Sequence, residues 1–162
     1  MSVRIHSFPP VVRPDAQILI LGSMPSVASL ADHFYYAHPR NAFWRILSDS
    51  FGTGLPVSVP EKKDLLWNNG IALWDVLASC EREGSLDSDI GSPESNDFER
   101  FFASYPMIDR LLFNGSKAKS LFMRFCKQYL EDRSWQILPS TSPAYTLSYE
   151  RKLAIWRRAL EK

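Results

Sequence analysis

The sequence predicts a three-layer α/β/α domain built on a four-stranded, mainly parallel sheet. Three observations predict it. Four short apolar runs, over 17–21, 71–77, 109–113 and 135–138, alternate with segments whose apolar residues recur at helical spacing. The run ending Ile18-Leu19-Ile20-Leu21 is continuously apolar, as a central strand covered on both faces requires. Each run also gives way to polar, turn-forming residues, so the four strand ends gather at one sheet edge. In open α/β sheets that edge is where ligands bind.

Taken in order, residues 1–16 hold Pro9, Pro10 and Pro14 and read as an extended lead-in. The first strand breaks on Gly22-Ser23-Met24-Pro25-Ser26, and 27–33 suits a short helix. Pro39 suits the first turn of the next helix, which carries Phe43, Trp44 and Leu47 and stops near Gly52. Pro60 opens a third helix, with Leu65, Leu66 and Trp67 inside it and Gly70 closing it. The run 71–77 is the second strand and carries Trp74 and Asp75. Residues 81–96, rich in Gly, Ser, Asp and Glu, read as an exposed loop. Phe98, Phe101, Phe102 and Tyr105 form a helical stripe ended by Pro106. The third strand, 109–113, leads into Asn114-Gly115-Ser116. Ala118, Leu121, Phe122, Phe125, Cys126 and Tyr129 then mark the clearest helix. The fourth strand precedes a stiff polar loop, 139–145, and a last helix with Tyr149, Leu153, Trp156 and Leu160 on its inner face.

A chain of 162 residues suits one domain, spanning 1–162. Apolar residues make up 45% of it, enough for a core, and the formal net charge of +1 excludes a polycation. Nucleic-acid binding would therefore need locally placed cations. Cys80 and Cys126 lie in no ligand motif and read as a pair of buried thiols. No leader pattern and no membrane-length apolar run stand out, so the expectation is a soluble, cytoplasmic monomer with no membrane partner.

The turn at Gly22 is neither a phosphate-binding Walker loop, lacking Gly-Lys-Ser/Thr, nor a dinucleotide fingerprint. By itself it is an ordinary strand-to-helix turn. Its other reading is a set of N–H groups meeting an anionic or carbonyl-bearing ligand. The segment Tyr36-Ala37-His38-Pro39-Arg40-Asn41-Ala42-Phe43-Trp44 brings rings, a cation and a carboxamide towards the same edge. Phe43 and Trp44 suit the core, and His38 and Asn41 could each cap the helix. Together with the turn they point to a pocket for one nucleobase.

GSMPS followed by YAHPRNAFW resembles the uracil-DNA glycosylase superfamily, whose mismatch-specific branch carries a G-x-N-P-G turn and an F-A-H-P-x-N-x-F-W segment. GIALWDV is similar to the superfamily's base-reading strand, LLFNGSKA to its third conserved strand and following helix, and LPSTSPAYT to its minor-groove loop. The resemblance spans roughly Ile18 to Tyr145. It comes nearest to the hypoxanthine-DNA (deoxyinosine) glycosylase branch, which shares the G-S-M-P turn. Two departures matter. Met24 stands where mismatch-specific enzymes place a water-positioning Asn. Asp75 stands where the uracil-specific branch places a uracil-reading Asn.

The resemblance implies a uracil-DNA glycosylase-like fold and hydrolysis of the N-glycosidic bond of a deaminated base in DNA, hypoxanthine first and uracil second. It implies no metal and no organic cofactor. It implies catalytic roles for Asn41, on the attacking water, and for Asp75, on the base or the water. Gly22, Ser23, Met24, Pro25 and Ser26 would contact the base, with Tyr36 stacked on it and His38 and Asn114 nearby. Arg40, Gly115, Ser116, Lys117, Lys119, Ser140, Thr141 and Ser142 would hold phosphates, and Pro143, Ala144 and Tyr145 would fill the space left by the base. The rival expectations are a non-catalytic nucleotide- or DNA-binding module of the same fold and a relative acting on free nucleosides. The His-x-Glu and Pro-Cys-x-x-Cys elements of zinc deaminases are absent.

Overall fold

The computed structural model describes residues 3–161. Its strands are β1 (Arg4–His6), β2 (Ile18–Gly22), β3 (Ile71–Asp75), β4 (Leu77–Glu81), β5 (Gly91–Ser95), β6 (Arg110–Asn114) and β7 (Ser134–Leu138). Its helices are α1 (Val27–Asp32), α2 (Phe43–Phe51), α3 (Val59–Asn68), α4 (Phe98–Ser104), α5 (Ser116–Cys126) and α6 (Tyr149–Leu160).

The four expected strands form one parallel sheet in the order β3-β2-β6-β7. β2 lies inside it and is buried along its whole length. The register sets Gly22 opposite Asp75 and Asn114 opposite Leu138, so the strand ends stand level along one edge. Helices cover both faces. α2 packs on α6, where the buried Phe43 and Trp156 rings meet edge to face at 5.9 Å. On α5, Phe122 meets Phe98 of α4 at 5.2 Å and Phe113 of β6 at 5.4 Å. Side-chain caps define several helix starts: Ser26 for α1, a Ser58–Glu61 capping box for α3, and Ser148 for α6.

The structure departs from the sequence expectations in four places. The lead-in is extended, but Arg4–His6 pairs antiparallel with β4, and Val11 bridges Leu73. Residues 1 and 2 of that lead-in lie outside the described residues. The run 71–77 is two strands, broken after Asp75. The segment 81–96 is not a plain loop: β4 pairs with β5, closing a second, antiparallel sheet in the order β1-β4-β5. That pairing carries register shifts, which is why no clean alternation marks it in the sequence. Pro39 sits in a turn ahead of α2, whose N-cap is Ala42.

Phe122 joins α4, α5 and β6 and is fully buried. Phe122→Ala is expected to cost about 3–5 kcal/mol, read as a lower urea midpoint. An unchanged midpoint would show that the layer does not depend on this ring.

Candidate functional site

A cleft of about 950 Å³ opens at the C-terminal edge of the parallel sheet. Its lining includes the whole Gly22–Ser26 turn, Tyr36, His38, Arg40, Asn41, Asp75, Asn114–Lys117 and residues 139–145. The structure thus gathers nearly every candidate residue into one site. Lys119 is the exception: its ammonium lies over the Trp135 ring at 4.0 Å, and it does not line the cleft.

Gly22 shapes the floor. A Cβ on it would lie 2.6 Å from Asp75 Oδ1 and 2.8 Å from the Tyr36 hydroxyl. Lacking one, the chain lets both groups close over the strand end. Asp75 is 3% exposed, and its Oδ2 has no hydrogen-bond partner among the described residues. Burial and then the nearby Asp87 carboxylate push the Asp75 carboxyl up to about 7, against the pull of Arg82. The buried Tyr36 hydroxyl faces the Asn114 side chain, and burial followed by Asp75 raises its pKa. Tyr36 is a non-glycine residue at φ 54°, a left-handed conformation that costs about 1–3 kcal/mol and is retained where it orients a group. Its ring is held on one face by Phe43, at 4.2 Å.

The neighbouring segment is a compact turn. Asn41 N–H donates to the His38 carbonyl, and Arg40 N–H donates to His38 Nδ1 at 3.1 Å. Asn41 Oδ1 accepts from Phe43 N–H at 3.0 Å, so it caps α2 as well as lining the cleft. That bond fixes the carboxamide and leaves a second Oδ1 lone pair and both Nδ2 hydrogens without partners among the described residues. In the Gly22 turn, the Met24 and Ser26 N–H groups meet no partner among the described residues.

Asn114 does not present a free carboxamide. Its Oδ1 accepts from Thr141 N–H and its Nδ2 donates to Thr141 Oγ1, both at 3.0 Å. Asn114 therefore clamps the 139–145 loop as well as lining the cleft. That loop is also tied by Ala42 N–H donating to the Thr141 carbonyl, Trp156 Nε1 to the Pro139 carbonyl and Lys152 Nζ to the Ser142 carbonyl. Ser140 and Ser142 hydroxyls each accept the N–H two residues on. Pro143, Ala144 and Tyr145 stand exposed at its tip. Gly115, at φ 93°, makes room for Ser140.

A second groove, of about 760 Å³, shares Arg40, Asn41, Thr141 and Tyr145 with the first. It adds Arg45, Lys62 and Lys152, with no acidic residue in its lining. Arg45 lies over the Tyr149 ring at 3.7 Å and Lys62 over Trp44 at 5.4 Å. Burial holds the Lys62 and Lys152 ammonium groups below the usual lysine range. Sequence reasoning missed these cations, because α2, α3 and α6 bring them together from distant positions. It also missed one wall of the main cleft. Ser85, Leu86 and Asp87 stand there, anchored by Ser23 Oγ donating to Asp87 Oδ1 at 2.6 Å and Val27 N–H donating to Ser85 Oγ at 2.9 Å. Buried Arg82 supports this wall, donating to the Gly84 and Pro25 carbonyls. Nothing in the local pattern of 81–96 signals that role.

Among the described residues, no group of three or more His, Cys, Asp or Glu is placed to hold a metal, and no helix is long and apolar enough to cross a membrane. The arrangement can grip a planar polar ligand: two free N–H donors, one buried carboxyl, one fixed carboxamide and a tyrosine ring.

Comparison with known proteins identifies the family. Residues 9–161 match the uracil DNA glycosylase superfamily. A hypoxanthine DNA glycosylase of Methanosarcina barkeri is 35% identical over 158 residues, 97% of this chain and 98% of the relative. Another, from Methanosarcina acetivorans, is 44% identical over 114 residues, 70% of this chain and 72% of the relative. The solution structure of a candidate uracil DNA glycosylase from M. acetivorans superposes with a TM-score of 0.84 at 33% identity, covering 98% of this chain and 97% of that one.

The Asp75 carboxyl binds its proton up to about pH 7 when folded, against 3.8 as its ordinary value. Folding therefore takes up a proton between those values, and the stability that Asp75 contributes is lost as pH rises through about 7. Asp75→Asn stays neutral. Its melting temperature is expected to gain on the native chain between pH 4 and pH 8; a constant difference would show an ordinary, solvated carboxylate.

Proposed function

We propose that this chain, which belongs to the uracil DNA glycosylase superfamily, is a DNA repair glycosylase that excises a deaminated base, with hypoxanthine preferred and uracil second. Glycosylases of this kind are hydrolases acting on N-glycosyl bonds. The observation that carries the reading is the meeting of the Gly22 turn, Asp75, Tyr36 and Asn41 at one sheet edge, within a cleft deep enough for an extruded base. The relatives named hypoxanthine DNA glycosylase support hypoxanthine as a substrate.

As the glycosidic bond breaks, the sugar becomes oxocarbenium-like and negative charge gathers on the leaving base. The site has to hold the base out of the stack, place a water at the sugar, and aim donors at the base. Asn41 holds the water, since Met24 offers no polar group and Asn41 has lone-pair and donor capacity left beyond its cap. The Met24 and Ser26 N–H groups meet polar atoms of the base, and Tyr36 offers a ring face to it, a contact worth about 1–3 kcal/mol. Lys117 and Ser116 at the start of α5, with Arg40, contact phosphates. The cationic groove beyond Arg40 carries the DNA strand onward. Tyr145, beside Ala144 at the exposed loop tip, fills the gap left in the duplex. The chemistry requires no metal and no organic cofactor, and 162 residues around one core suit a single-domain monomer.

The direct test is a panel of duplexes carrying hypoxanthine, uracil, xanthine or ethenocytosine, assayed for alkali-labile abasic sites. No abasic product from any of them would overturn the reading. Asn41→Ala is expected to lower single-turnover excision at least about a hundredfold, while loss of the cap lowers stability by only about 1 kcal/mol. A variant with full activity would remove Asn41 from the water.

The loop tip gives a second expectation. Extruding a paired base costs a few kcal/mol, and less where pairing is already absent. Replacing Ala144 and Tyr145 by glycine is therefore expected to slow excision from a well-paired duplex more than from a single strand. Equal losses on both would show that the loop only tethers α6.

A further inference from the structure

Asp75 sits where the edge of an extruded base would arrive. Gly22 lets Oδ1 settle over the strand end, and Oδ2 is left without a partner. The carboxyl is buried and makes no ion pair among the described residues. An ionised carboxylate in such a place is costly, because neither water nor a contacting cation compensates its charge. The groups facing it sharpen the point. From the wall at 82–90 come the Asp87 carboxylate, which repels, and the Arg82 guanidinium, which attracts. Two of the Arg82 nitrogens are already donating to the Gly84 and Pro25 carbonyls. From the connection between α1 and α2 come Tyr35 and Tyr36, both kept protonated by burial. His38, Arg40 and Lys117 line the same cleft.

We propose that Asp75 acts as a neutral carboxylic acid, accepting the ring N–H of the extruded base through its carbonyl oxygen and donating its O–H to the adjacent exocyclic oxygen. This rests on the glycosylase reading above and deepens it by naming the substrate class: bases with a lactam edge, a ring N–H beside a C=O. Hypoxanthine and uracil both carry that edge, and the carboxamide or carboxylic acid is its natural complement. An ionised Asp75 would repel the lactam oxygen. It would instead match the two parallel N–H donors of guanine, a normal base.

The charge state also decides the chemistry. Water adds to C1′ of the sugar, and the electron pair of the C1′–N bond leaves with the base and spreads onto its lactam oxygen. The proton lost by the water neutralises the departing base, so hydrolysis balances with no proton taken from Asp75. A carboxylate beside that oxygen would oppose the developing charge. A carboxylic acid donates a hydrogen bond to it, and this bond strengthens in the transition state.

The test is single-turnover excision from a hypoxanthine duplex between pH 5.5 and pH 9, for the native chain and Asp75→Asn. The native rate is expected to hold steady at low pH and to fall about tenfold per pH unit above about 7. Asn presents the same donor–acceptor pair without titrating. Asp75→Asn is expected to show no fall near 7, whatever its rate at pH 6. Two outcomes overturn the proposal: a native rate that rises through pH 7 with Asp75→Asn at least a hundredfold slower throughout, which makes Asp75 a base, or the same fall in both proteins, which assigns the titration to another group or to the lesion. Binding of free hypoxanthine, followed by calorimetry at pH 6 and pH 8, separates this from the glycosylase reading. Tighter binding at pH 6 by the native chain alone supports the acid whatever the excision result, and pH-independent binding overturns it.

Discussion

The site depends on one close approach. In the parallel register Gly22 stands opposite Asp75, and the carboxyl bends back so that Oδ1 occupies the space where a side chain on residue 22 would begin. The Tyr36 hydroxyl enters the same space from the other side. Three elements therefore meet at a point where the backbone carries no Cβ. The floor of the cleft is a recess made by an absent side chain, and its polar atoms are left for a ligand to satisfy. A buried carboxyl without a partner works against stability. Its retention at this spot fits a group whose partner arrives with the substrate.

Around that floor, each wall is pinned by a polar bond to a neighbouring loop. Asn114 clamps Thr141, Thr141 in turn holds Ala42, and Ala42 precedes the α2 residues that hold Tyr36 through Phe43. On the opposite wall Ser23 holds Asp87, while Arg82 holds Pro25. The loops are irregular, yet their backbone groups are largely paired, so the cleft is preorganised. Preorganisation matters for a reaction that uses fixed donors and a positioned water and no covalent intermediate.

The parallel sheet and most of the site were legible because their signals are local. Ile18–Gly22 is a continuous apolar run with a glycine turn, and Tyr36 to Trp44 packs unusual residue types into nine positions. The second sheet was not legible. β5 (Gly91–Ser95) holds Gly, Ser, Pro and Glu, with no alternation, and forms because β4 offers it a partner through an irregular register. Asp87 was missed with it, since its place in the site depends on that hairpin returning to the Gly22 turn. Asn114, expected near the base, also ties two loops together. Its bonds to Thr141, 27 residues later, could not be inferred from spacing. Asn41 shows the reverse: the capping role and the proposed catalytic role coexist, since one lone pair serves each.

The distribution of charge follows the same division. A formal net charge of +1 gives no long-range attraction to a polyanion, so affinity must come from where the cations stand. Arg40, Arg45, Lys62 and Lys152 line one groove with no acid among them, while Asp75 and Asp87 face the adjoining cleft. The groove thus gathers most of these cations, while Arg40 and Lys117 also line the cleft. Arg40 and Tyr145 stand on the boundary between the two. A nucleotide crossing there would leave its phosphate in the basic groove and carry its base over Tyr36 towards Asp75.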